Sequence, residues 1–181
     1  AIGILTIGLG VGGFLGGRVG DWAARRAPRN GRVFLGQLAI ALTVVASYLL
    51  FRIEWGSLLV YWFFFFVLGL SMQVNSSGAE VPIRTTVVYP EIRATSHAAD
   101  AVIGTITGAV ASYAIGQLSI RMGLTSTLLW AATGACAVHL LIWFAYYPLY
   151  HKDVAGMQQI LSERRAELSA GSLPLRDRAQ G

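Results

Sequence analysis

Charge and cysteine are both scarce in this chain: Asp, Glu, Lys and Arg together make up 13% of its 181 residues, and there is one cysteine. So little charge cannot clothe a water-soluble domain of this size, in which about a quarter of the residues are ordinarily charged. The lone Cys136 excludes an internal disulfide and has no second thiol with which to build a metal site, so it is read as a packing residue. Also missing are a glycine loop followed by a phosphate-binding basic residue, a Cys/His ligand cluster and a Ser-His-Asp set. No metal, no cofactor and no enzymatic activity are therefore expected. The chain begins Ala1-Ile2-Gly3-Ile4 within an apolar run, with no methionine, basic leader or small-residue cleavage pattern. The expectation is a fragment of a longer protein.

What the chain has instead is apolar length. It is 55% hydrophobic with a mean hydropathy of +0.58, and the stretches 1–17, 33–51, 55–79, 101–120 and 122–150 contain no Asp, Glu, Lys or Arg. A helix needs about 20 apolar residues, within a range of about 17 to 25, to cross the hydrocarbon core. These runs are apolar on every face, whereas barrel strands alternate over about 10 residues, so helices are expected. The expected fold is all-α and integral to the membrane: a bundle of five transmembrane helices over 1–150, then a soluble segment over 151–181.

The net charge of +5 would suit a nucleic-acid partner in a soluble chain, but the placement of the charges points elsewhere. Arg18, Arg25, Arg26, Arg29 and Arg32 follow the first span, Arg84 and Arg93 the third, and Lys152, Arg164, Arg165, Arg176 and Arg178 the fifth. Only Arg52 and Arg121 lie on the opposite side. The positive-inside rule makes the crowded side cytoplasmic, which puts the N-terminus outside and the C-terminus inside. The partners expected are membrane lipids, with no nucleic acid.

The first span carries Gly3, Gly8, Gly10, Gly12, Gly13, Gly16 and Gly17. Such a density weakens a helix in water but lets membrane helices approach backbone to backbone. In the next connection, Pro28 and Asn30-Gly31 supply turn chemistry. The third span opens with Trp55, Tyr61 and Trp62, an interfacial aromatic belt, and runs into the polar patch Gln73, Asn75, Ser76, Ser77. Glu80 and Arg84 are spaced to pair on one helical face, while Pro82 and Pro90 limit how far regular helix continues. Thr95 or Ser96 is expected to cap the fourth span, where Gly104, Gly108, Ser112 and Gly116 form a small-residue stripe suited to close packing. Past Tyr150, Asp153 is expected to cap an amphipathic helix bearing Val154, Met157, Leu161 and Leu168 on one side. Gly171 should end it, leaving a disordered tail over 173–181.

One stretch is expected to place an acid and two arginines in a glycine-rich turn between uncharged spans: Gly17-Arg18-Val19-Gly20-Asp21-Trp22-Ala23-Ala24-Arg25-Arg26. The pattern Gly17, Asp21, Ala24, Arg25, Arg26 resembles the G-x-x-x-D-R-x-G-R-R loop motif of the major facilitator superfamily, with Trp22 in place of the customary arginine. In that superfamily the motif follows the second span and, in degraded form, the eighth, and four spans follow it here. The stretch Pro90-Glu91-Ile92-Arg93-Ala94-Thr95 is similar to P-x-x-R-[AG]-T after the tenth span of many such transporters. Together they look most like the Spinster-like branch, over about residues 8–121.

The resemblance implies helices eight to twelve of a secondary transporter working by alternating access on a small organic solute or a lipid-like organic anion. The partners would be the N-terminal half of the same transporter and a coupling proton or cation, and the location a bacterial inner membrane. Gly17, Asp21, Ala24, Arg25, Arg26 and Arg93 would form a conformational latch. The competing view is an ordinary loop whose arginines set topology. Gln73, Asn75, Glu80, Arg84, Asp100, Tyr113 and Gln117 are candidates for the substrate path or coupling, because polar groups at membrane depth are costly. Their competing roles are interhelical hydrogen bonding and, for Asp100, stabilisation of a helix start. His139 is a weaker candidate for proton relay, set against a bond to a neighbouring backbone or hydroxyl. Two other classes stay open: a non-transporting structural or assembly subunit, and a membrane enzyme using Glu80, Asp100 and His139.

Overall fold

A computed structural model describes residues 2–177, which are helical almost throughout, and no strand occurs among them. Five of its helices are long and apolar enough to cross a membrane. The first two are α1 (Ile2–Arg26) and α2 (Gly31–Arg52). The third rod, Leu58–Val87, consists of α3 (Leu58–Asn75), a π-helical turn (Ser76–Glu80) and α4 (Val81–Val87). A short 3-10 turn (Pro90–Ile92) leads into α5 (Arg93–Met122). The last rod joins α6 (Leu124–Leu128), a second π turn (Leu129–Thr133) and α7 (Gly134–Asp177).

The apolar spans are where the hydropathy puts them, but several ends differ. The glycine-acid-arginine stretch is not a turn: α1 runs through it to Arg26, and the chain turns only at Ala27–Asn30, where Gly31 N–H donates to Ala27 O at 2.7 Å. Charges at the rim of a membrane helix do not break it, since its backbone bonds are all internal. Pro82 does not stop the third rod either: it follows directly on the π turn, and Gly78 O, the carbonyl four residues before it, accepts from Arg32. Neither Thr95 nor Ser96 caps α5, which starts two residues earlier, off the 3-10 turn in which Ile92 N–H donates to Tyr89 O at 3.1 Å. Likewise Asp153 is no cap and Gly171 no terminus: both lie inside α7. A glycine ends a helix by taking left-handed backbone, and among the described residues only Gly123 has a positive φ, at the joint between α5 and α6. Val154, Met157 and Leu161 are among the less exposed residues of that stretch of α7, while the side chain of Leu168 and residues 178–181 of the expected tail lie outside those described.

The closest helix contact is between α1 and the third rod, while the apolar core is built by α2, the third rod and α7. Gly8, Gly12, Gly16 and Gly20 are all buried on one stripe of α1. Added β-carbons there would collide with Phe66 O, Leu70 O, Ser77 Oγ and Gly78 O in turn. Positions rise together on the two helices, so α1 and α3 run parallel, as two spans of one direction must. α2 runs antiparallel to both α3 and α7. Thr43 and Ser71 share a hydrogen bond at 2.8 Å, Ser47 and Thr133 one at 3.2 Å, and Tyr147 O–H donates to Gln37 Oε1 at 2.8 Å. Around Trp143, which is fully buried, pack Val33, Ile40, Ala79 and Ile83. Lipid is as apolar as these side chains, so close packing and interhelical hydrogen bonds supply most of what holds such a bundle.

By contrast, α5 buries no residue. Its small-residue stripe is not packed against anything described: Gly104, Gly108 and Gly116 have nothing within 4 Å of an added β-carbon. The expectation of close packing for that stripe is therefore not met among the described residues.

Candidate functional site

Two polar groups of residues stand out. The first lies where α1, α2 and the π turn of the third rod meet. Asp21 projects from the last turns of α1 with its side chain 63% exposed, and Arg32 Nη2 donates to its Oδ1 at 2.8 Å. Arg32 Nη1 also reaches Gly78 O at 3.4 Å. That carbonyl is accessible because Gly20 and Gly78 touch without side chains between them; a β-carbon at Gly20 would meet Gly78 Cα at 2.9 Å. One guanidinium thus ties three helical segments together.

The acid of the proposed latch has a partner, but not the arginines adjoining it. Arg25 and Arg26 are exposed, and Arg26 lies over the Trp22 ring with 5.8 Å between guanidinium and centroid. Trp22, standing where the superfamily pattern has an arginine, is therefore a cation–π platform here. Ala24 is half-buried, and Gly17 approaches nothing within 4 Å. The contact glycines are Gly16 and Gly20, and Arg32 is the residue that sequence reasoning left out of the group. Arg93 is exposed and bonds back to Val88 O at 3.4 Å, apart from Asp21. Next to it, Glu91 accepts from Arg164 Nη1 at 2.6 Å, so α7 reaches back to hold the turn before α5.

The second group surrounds the π turn. Arg84 pairs closely with Asp100 of α5 and loosely, at 3.7 Å, with Glu80 one turn away. Asp100 therefore answers a guanidinium across helices. It is the eighth residue of α5, outside the first turn, so the helix-start reading does not hold. Exposed ion pairs are worth about 0–1 kcal/mol. Asp100→Asn is accordingly expected to lower the unfolding free energy by no more than about 1 kcal/mol, read as a small shift of the denaturation midpoint; a larger drop would show that the pair is shielded from solvent.

Above this trio, a cavity of about 280 Å³ opens among α1, α2, the third rod and α7, lined in part by Thr43, Gln73, Asn75, Ser76, Glu80 and His139. Asn75 is 6% exposed, and its Oδ1 has no hydrogen-bond partner among the described residues. A buried amide oxygen left unpaired costs about 1–3 kcal/mol. The π turn follows Asn75 directly, and extra-residue turns of this kind are frequent where a helix is shaped for a ligand. His139 Nε2 accepts from Trp143 Nε1 at 3.1 Å, a partner that is neither backbone nor hydroxyl.

Of the candidates for a substrate path, Gln73, Asn75 and Glu80 share this cavity, and Arg84 and Asp100 adjoin it through Glu80. Tyr113 and Gln117 do not belong to it: both are exposed on α5, which buries no residue and meets the third rod through Asp100 near its start. His139, Cys136 and Thr43 join the lining and were outside the expected set. Periodicity could have flagged Cys136 and His139, which stand one helical turn apart. Among the described residues no three His, Cys, Asp or Glu side chains converge as metal ligands. Comparison of the chain with protein-family models, curated proteins and solved structures finds no match to any of them.

Proposed function

We propose that this chain is the greater part of the C-terminal bundle of a secondary transporter similar to the major facilitator superfamily, spanning a bacterial inner membrane with its C-terminus in the cytoplasm. Rocking against an N-terminal bundle would expose a midplane site alternately to the two sides. The solute class is a small organic or lipid-like anion, with a proton or a cation as coupling ion.

The observation that carries this reading is the exposed Asp21 paired with Arg32 of the next helix, with the same arginine reaching Gly78 O. A solvated pair between helix ends can be broken and remade at small cost, which is what a latch between two conformations requires. Asp21→Asn keeps the shape and removes the charge. In the full-length transporter, solute uptake is expected to fall by about tenfold at normal surface expression, the equivalent of roughly 1.4 kcal/mol. Unchanged uptake would sink the latch. A cheaper test is the coding sequence upstream of Ala1, where seven more apolar spans are expected, with another glycine-acid-arginine stretch after the second.

One observation favours a second reading, an assembly subunit of a membrane complex. α5 exposes all of its small-residue stripe, a face suited to a partner helix. A start codon immediately before Ala1 would favour that reading over the transporter.

A further inference from the structure

We propose that the outward face of α1, toward its Arg26 end, binds the headgroup of an anionic phospholipid. The inference stands apart from transport: it concerns which lipid the chain retains, which is measurable whether or not the protein moves a solute.

Helical geometry sets the face. Gly12, Gly16, Gly20 and Ala23 are the buried positions along this part of α1. Phe14, Arg18, Trp22 and Arg25 each follow one of them by two residues, a rotation of about 200°. They therefore lie on the side away from the packing contact, and all four are exposed. Ile7 and Val11 extend the same face toward the start of the helix and are exposed as well. Along this face the order is an apolar row ending at Phe14, then guanidiniums with an indole among them. A phospholipid presents its partners in the same order, acyl chain and then charged headgroup at the interface, where tryptophan is favoured. A free anion would have no use for the apolar row.

Charge decides the kind of headgroup. Arg18 is the first charge after the uncharged run 1–17. It stands about two turns before the end of α1, beyond the last turn in which a helix terminus favours a cation. Among the described residues it forms no ion pair, and its guanidinium lies 4.0 Å from the centroid of the Phe14 ring. Arg26 sits likewise over Trp22. A ring face offers no oxygen acceptor, so both guanidiniums keep N–H donors for a phosphate. The acid of this stretch, Asp21, is paired with Arg32. Of the elements packed on α1, α2 and α3 carry no acid, and Glu80 of the π turn lines the interior cavity and pairs with Arg84. Five arginines against one aspartate over residues 18–32 leave the surface strongly positive, and basic clusters bordering a membrane helix attract anionic lipid.

The test is native mass spectrometry of the purified full chain in mild detergent, titrated with phosphatidylglycerol or with phosphatidylcholine of the same acyl chains. Saturable phosphatidylglycerol adducts are expected, at about tenfold higher affinity than phosphatidylcholine. Arg18→Gln and Arg25→Gln should each weaken phosphatidylglycerol binding by about fivefold, the effect of one basic side chain at an anionic surface, and leave phosphatidylcholine binding as it is. Arg18→Lys, which restores the charge, should recover most of the loss. Arg52→Gln, at the far end of α2, is the control and should bind as the native chain does. The inference is overturned if the two lipids bind alike, or if both glutamine variants hold phosphatidylglycerol as the native chain does, as they would were this face covered by another protein surface. It is also overturned if inorganic phosphate displaces the lipid, which would make this a site for a free anion. Solute uptake is scored separately, so lipid selectivity without uptake, or uptake without lipid selectivity, tells this inference apart from the transport reading.

Discussion

Gly12→Val is expected to separate α1 from the third rod and leave a protein that no longer runs as a single folded species on size-exclusion chromatography in mild detergent. Even the first added carbon has no room: a β-carbon at Gly12 would sit 2.5 Å from Leu70 O and 3.0 Å from Gln73 Cβ. One of those neighbours is backbone, so no rotamer change relieves the clash, and α1 must move as a body. Such a shift would also disturb the neighbouring contacts at Gly8, Gly16 and Gly20, all buried on the same stripe. Overpacking of a well-filled core costs about 1–3 kcal/mol for the inserted methylenes alone, and a whole helix interface is lost with them. Gly10→Val is the matched control, because nothing lies within 4 Å of a β-carbon there. Both variants carry the same propensity penalty in the same helix, so a difference between them isolates the packing. Equal behaviour of the two would refute the parallel α1–α3 contact.

The second large effect is expected at Trp143. Trp143→Ala should lower stability by about 3–5 kcal/mol, the usual range for deleting a buried large aromatic. The indole is fully buried, stacks on Tyr146 at 4.8 Å between centroids, and fills the notch left by Gly36, where a β-carbon would come 2.6 Å from its Cζ3. It is also the donor to His139. Tyr147→Phe, one turn away, removes only the 2.8 Å bond to Gln37 Oε1, and a single interhelical hydrogen bond in a membrane bundle is worth about 0.6 kcal/mol. Unfolding in mixed detergent should therefore rank Trp143→Ala far below Tyr147→Phe and the native chain. A similar small loss in both would mean that α7 is not docked on α2 through this side chain. Gly36→Ala offers a second approach to the same contact, since it crowds the ring from the other side.

Five spans and their helical nature were legible from residue order alone, because each stretch excludes charge for long enough that only a helix can bury its backbone in lipid. The ends were less legible. A helix does not stop where hydropathy falls, so α1 continued to Arg26 and α7 past Asp153. The glycine density of the first span announced close packing but not its face. Gly16 is buried against Ser77 and Val74 while Gly17 touches nothing, since one residue turns the helix by about 100° and only the stripe at four-residue steps meets α3. The acid-arginine stretch was plain in the sequence, yet Asp21 found Arg32 across a turn in preference to Arg25 or Arg26, which are exposed, Arg26 lying over Trp22.

Other assignments required three dimensions outright. Glu80 and Arg84 could be paired by helical spacing, whereas Asp100, sixteen positions from Arg84, meets it only because the chain turns back at Pro90–Ile92. No periodicity announces a π turn, so neither the orphaned Asn75 Oδ1 beside it nor the nearby cavity could be read in advance. Gln73 and Asn75 were marked with Tyr113 and Gln117 because all four are polar groups in apolar spans, but α5 stands away from the core and carries the latter two with it. Composition and order determine which segments are apolar enough to become membrane helices. Which faces of those helices meet, and so which polar groups share a cavity, depends on shape complementarity between residues far apart in the chain.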